Sequence, residues 1–154
     1  MDGARAVCDS LHTWSDLQAM VGEAVPEGVC LECRTLTGTT LSKDTKDELA
    51  QITSAMSNTS GGVIMLGLAT TAAMARGRGV VPGLEPIGNF SKLAARVEIA
   101  LPQLTIPPYV GAEVRVIKKT GSDAGIVAIF VASAPGDPLR SAIDDHLYYW
   151  TGTR

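Results

Sequence analysis

Apolar positions recur with helical spacing in three stretches of the chain. In residues 10–22, Leu11, Trp14, Leu17 and Val21 return every three or four positions, and Asp9 or Ser10 can cap the start, which predicts a first helix. Gly22, Pro26 and Gly28 break that pattern. The clearest helix is predicted over residues 43–58, with Ser42 as N-cap. Leu49, Ile52, Thr53 and Met56 form one face, and Lys43, Asp47, Gln51 and Ser54 lie opposite. Asn58, Thr59, Ser60, Gly61 and Gly62 stop it, with a glycine suited to the left-handed position after a helix. Residues 89–101, with Leu93, Val97 and Leu101 turned inward, predict a third helix that ends before Pro102.

Other stretches follow a strand pattern. Residues 29–34 (VCLECR) place Val29, Leu31 and Cys33 on one side and Cys30, Glu32 and Arg34 on the other. Residues 63–68 (VIMLGL) and 125–132 (GIVAIFVA) are apolar without alternation, which marks strands covered on both faces. Residues 112–119 pair antiparallel with 125–132 around a turn at Gly121–Ala124. A short strand near 79–82 and a last strand at 146–150 (HLYYW) complete the expectation. The sum is an α+β fold: a mixed β-sheet with two buried central strands flanked by about three helices, in one domain over residues 1–154.

Composition narrows the function. The chain has 154 residues, 45% hydrophobic and 19% charged, so disorder is not expected. Its 13 Lys and Arg against 16 Asp and Glu give a net charge of −3. Such a balance argues against a uniformly basic surface, although phosphate contact needs positive charge only where the backbone runs. Three cysteines without a disulfide rhythm fit a reducing compartment. The N-terminal residues lack the features of a signal peptide, and the apolar run Val63–Ala75 is too interrupted to span a bilayer, so a cytoplasmic protein with no membrane contact is expected.

Three segments carry a family resemblance. The first is Glu27-Gly-Val-Cys-Leu-Glu32-Cys-Arg34. The second is the run from Asp47 to Gly67, in which a helix ends in Asn58-Thr59 before Gly61-Gly62 and an apolar strand closing on Gly67. The third is His146-Leu-Tyr-Tyr149. In this order they resemble the AlbA-like domain of the Schlafen group, also known as the divergent AAA domain. The resemblance implies DNA or RNA binding, as in a transcription regulator, and a homodimer or a longer parent chain of which this is the N-terminal part. Nuclease members of the group use two glutamates and an aspartate to hold a metal. By position Glu27 and Glu32 supply the first two and would be catalytic with Mg²⁺ or Mn²⁺ in an endoribonuclease. The third carboxylate is missing: the family's acidic pair is replaced here by Ala69-Thr70-Thr71-Ala72, and Thr151 stands where Arg is frequent.

The residues themselves offer both functional and structural readings. Arg34, Lys43 and Lys46 flank the turn before the second helix and are candidate phosphate contacts, as are Arg76 and Arg78 in a glycine-rich loop. Asp44, Asp47 and Glu48 lie among the lysines, as on an ordinary solvated face. Glu32 shares a strand face with Arg34, which favours a structural ion pair over a metal ligand. Asn58, Gly61 and Gly62 could offer amides to an anion, but a helix terminus needs the same residue types. Cys30 and Cys33 spell C-x-x-C, yet residues three apart on a strand face opposite sides, so no cofactor or metal is expected from them. No Walker pattern exists, and Asp144, Asp145 and His146 suit a turn. Few aromatics are available as a stacking platform, so recognition of single-strand bases is not expected. An assembly module with no nucleic-acid contact is the third reading that the acidic balance allows.

Overall fold

The computed structural model describes residues 3–23, 31–36, 38–68, 83–133 and 138–149. In chain order the elements are α1 (Gly3–Asp9), α2 (Trp14–Met20), β1 (Leu31–Arg34), α3 (Lys43–Ser57), β2 (Gly62–Leu66), β3 (Ile87–Gly88), α4 (Phe90–Ala100), β4 (Thr105–Ile106), β5 (Glu113–Lys118), β6 (Ala124–Val131) and β7 (Arg140–Ser141). A single 3-10 turn, Leu101–Gln103, extends α4.

The main sheet has five strands. β1 runs parallel to β2, with Leu31 opposite Val63 and Arg34 opposite Leu66. β6 is antiparallel to β2 on one edge and to β5 on the other. Its first residues also pair with β3 at Gly125 and Ala124. Because β5 occupies the opposite edge there, β3 continues the line of β2. The two apolar runs of the sequence, β2 and β6, are therefore the central strands. Each sends alternate side chains into two separate cores. Ile64, Leu66, Val127, Ile129 and Val131 meet Leu49, Ile52 and Met56 of α3 and Leu93 and Val97 of α4. Val63, Met65, Ile126 and Phe130 meet Cys8, Leu11, Trp14 and Leu17 from the N-terminal helices. Burial on both faces is why neither run alternates.

Two expectations change. The helix expected over 10–22 begins at Trp14, and a separate helix, α1, precedes it. The reason is a capping box: the Thr13 hydroxyl accepts from Asp16 N, while the Asp16 carboxylate accepts from Thr13 N. Leu11 is still buried, so the periodicity was real, but it spans a helix boundary. Of the strand expected at 146–150, residues 146–149 form only one bridge, Leu147 to Arg140, and Trp150 lies outside the described residues. Leu147 is 49% exposed and has no core to face, whereas the short β7 pairs with β4 instead. The segment Asp144–His146 forms the expected turn: His146 N donates to Asp144 Oδ1, and Asp145 N donates to Ser141 O. The strand expected at 79–82 lies outside the described residues.

Candidate nucleic-acid interface

Helix α3 separates two surface clefts that differ in charge. On one side, Arg34 at the end of β1 faces α3 in a cleft lined also by Thr35, Asp44, Glu48 and Ile52. Arg34 Nε donates to Glu48 Oε2 at 2.9 Å, and its Nη1 lies 3.1 Å from Glu32 Oε2. A further bond runs from Nη1 to the Cys33 carbonyl. Glu32 is 1% exposed, so its carboxylate is sealed beneath the guanidinium. The structural reading of Glu32 and Arg34 is the one this geometry supports.

The opposite cleft lies between the approach to α3 and the last turns of α4. Thr40, Leu41 and Lys46 form one wall; Arg96, Ile99, Ala100 and Gln103 form the other. Its volume is about 330 Å³. Ile99 and Ala100 lie three and four residues after Arg96, and Gln103 lies four and three after them, so they make a single stripe along α4 and its 3-10 extension. Arg96 Nη1 donates to the Thr39 carbonyl at 2.7 Å and to Thr39 Oγ1 at 3.2 Å, which ties the loop to the helix. Arginine has five N–H donors, so most of them remain for another acceptor. No carboxylate lines this cleft among the described residues.

Lys43 lies one turn before Lys46 on the same flank of α3, and Lys92 one turn before Arg96 on α4. Among the described residues none of these four cations forms an ion pair. Arg5, Arg115 and Arg140 each do, with Glu113 and Asp9, with the same two acids, and with Asp145. In an acidic protein, then, the cations not neutralised in this way include a group on α3 and α4.

Of the residues expected from sequence, Lys43 and Lys46 stand together, and Arg34 is on the far side of α3 with its glutamates. Arg76, Arg78 and Glu27 lie outside the described residues. Sequence reasoning passed over Lys92 and Arg96, although their spacing of four was a usable signal. Lys118 and Lys119 end β5 at a turn, where Lys119 N donates to Ala124 O.

The segment that carried the family resemblance is structural. Asn58 Nδ2 donates to the carbonyls of Leu139 and Tyr148, and Asn58 Oδ1 accepts from Leu139 N. Gly61 has φ +78°, its N–H is spent on Met56 O, and a Cβ there would lie 2.6 Å from the Val131 carbonyl oxygen. These amides bind the protein's own chain and form no anion nest. Cys33 and Cys8 are buried in the core beneath α1 and α2; Cys30 is outside the described residues. Burial, followed by the neighbouring Glu32 charge, pushes the Cys33 thiol up to about 12. No group of three His, Cys, Asp or Glu among the described residues is placed to hold a metal ion. With Glu32 occupied by Arg34, the described residues do not assemble a carboxylate metal site.

No protein-family model matches this chain, and no curated protein sequence is significantly similar to it. Solved structures share its fold. One is the DIP2311 protein from Corynebacterium diphtheriae, at TM-score 0.55 and 17% identity, covering 96% of this chain and 24% of that one. Another is the N-terminal domain of a Nitrosomonas europaea protein described as a candidate ATP-dependent DNA helicase related to RecG. That match has TM-score 0.51 and 12% identity, and covers 100% of this chain and 91% of that domain. The class thus defined is a helix-covered mixed-sheet domain of the kind found at the N-terminus of that RecG-related protein. This chain spans about a quarter of the DIP2311 protein. Among the described residues no helix is long and apolar enough to cross a membrane.

Proposed function

We propose that this domain binds nucleic acid through the phosphate backbone, with Lys43, Lys46, Lys92 and Arg96 as the contacts. The observation that carries the reading is the pairing of Lys46 and Arg96 across a cleft with no carboxylate in its lining among the described residues. Polyphosphate needs such a local concentration of positive charge and is indifferent to the net −3 of the whole. The likeness of fold to the N-terminal domain of the RecG-related protein agrees with a role beside nucleic acid. In this reading the domain is of the Schlafen AlbA-like kind and acts as a homodimer or as part of a longer chain, as a DNA-binding part of a regulator. Arg76 and Arg78 are additional candidate contacts. Arg34 is left out because its guanidinium is committed to Glu32 and Glu48.

A salt titration tests this. With four cations replacing condensed counterions, log K for a duplex should fall against log salt with a slope on the order of −3 to −4. The Lys43→Glu/Lys46→Glu double variant should lose at least about tenfold in affinity and flatten that slope by roughly two. Binding of the double variant equal to that of the parent would remove this surface from the interface.

A further inference from the structure

We infer that the cleft between Lys46 and Arg96 receives one unpaired nucleotide of a single strand, its phosphate held by the two cations and its base laid against Ile99 beside Gln103. The inference rests on the nucleic-acid reading above and deepens it from backbone contact to strand type.

The cleft has the dimensions and the chemistry for this. Its volume of about 330 Å³ falls at the lower end of pockets that take small molecules, which run from roughly 300 to 1,000 Å³. Each wall carries a cation, Lys46 on one and Arg96 on the other, and the stripe of α4 that bears Arg96 continues into an apolar and then an amide side chain. Ile99 is 69% exposed, the second-highest exposure of any large hydrophobic side chain among the described residues. A lone exposed isoleucine needs no explanation in itself. This one stands one helical turn from Arg96 and one turn from Gln103, all three on the cleft wall. A phosphate, a flat apolar ring and a polar ring edge occur in that order in one nucleotide. In a duplex the ring faces are stacked and out of reach, so only an unpaired base can meet Ile99. That no aromatic lines the cleft among the described residues does not forbid this, since flipped bases are also held between apolar side chains. The tether from Arg96 to Thr39 fixes the guanidinium before any ligand arrives, which reduces the ordering cost on binding.

Fluorescence anisotropy with three labelled oligonucleotides of equal length tests the inference: a single strand, the same strand with abasic sugars, and the duplex. The parent protein should bind the intact strand about tenfold more tightly than the abasic one. Ile99→Ser should abolish that preference while leaving abasic binding unchanged. Ile99 is exposed, so the variant should fold, and circular dichroism and the melting temperature should match those of the parent. Equal binding of intact and abasic strands by the parent, or an Ile99→Ser variant that keeps the preference, overturns the base contact while leaving backbone binding in place. Failure of every oligonucleotide to bind the parent overturns both readings. A free mononucleotide that competes more strongly than the strand would show that the polymer is not the source of the nucleotide.

Discussion

Asn58 and Leu139, 81 positions apart in the chain, are joined by two hydrogen bonds, one in each direction. The Asn58 amide donates to the Leu139 carbonyl at 2.8 Å, and the Leu139 N–H donates to Asn58 Oδ1 at 2.7 Å. The side chain thereby stands in for a strand neighbour and fastens the end of α3 to the segment after β6. A side-chain amide presents a donor and an acceptor in one plane, and that of Gln stands a methylene too far out for this distance. Asn58→Ala should cost about 2–3 kcal/mol, because Leu139 N–H, half-enclosed, loses its acceptor along with the two bonds donated by the amide. Urea unfolding would measure it. Asn58→Asp should keep the bond from Leu139 N but set a carboxylate oxygen against the Leu139 and Tyr148 carbonyls, so its loss should be at least as large as that of the alanine variant.

The Arg34 prediction separates stability from binding. Removing the guanidinium leaves Glu32 buried without that counter-charge, so Arg34→Met should destabilise by about 3 kcal/mol. Its affinity for DNA, measured on the folded protein, should stay within twofold of the parent. A tenfold loss of affinity at unchanged stability would instead make Arg34 a ligand contact.

Cys33 sets an alkaline limit. Unfolded, its thiol ionises near the ordinary value of 9.0; folded, burial holds the proton to about 12. The folded state therefore favours the protonated form, and the associated stability is complete below pH 9 and lost as pH rises toward 12. The urea midpoint should decline over that window, and Cys33→Ala should show a shallower decline from a lower start. Native protein at pH 8 treated with iodoacetamide should carry no label on the Cys33 peptide by mass spectrometry, since the thiol is both buried and protonated. Rapid labelling there would contradict the burial.

The sheet was readable in the sequence because its central strands bury both faces, and that leaves an unbroken apolar run in β2 and β6. α3 was readable because a clear N-cap and a glycine stop bracket one amphipathic period. The N-terminal helices were not, since Leu11 and Trp14 keep one helical rhythm across the cap at Thr13. The proposed interface was half readable. Lys43 and Lys46 are neighbours on one helix, and Glu32 with Arg34 are neighbours on one strand, so local spacing found both pairs. Which cations escape neutralisation depends on contacts between remote parts of the chain. Glu48 reaches Arg34 across 14 residues, and Arg96 reaches Thr39 across 57. No local pattern encodes either meeting.

The central claim is that nucleic acid lies along the α3–α4 side of the molecule. Amide chemical-shift mapping by NMR, with an unlabelled single-stranded oligonucleotide titrated into isotope-labelled protein at low salt, tests it most directly. The largest shifts should fall in residues 39–46 and 92–103 and should reverse on adding salt. Shifts clustered around Arg34 and Glu48, or none anywhere, would contradict it.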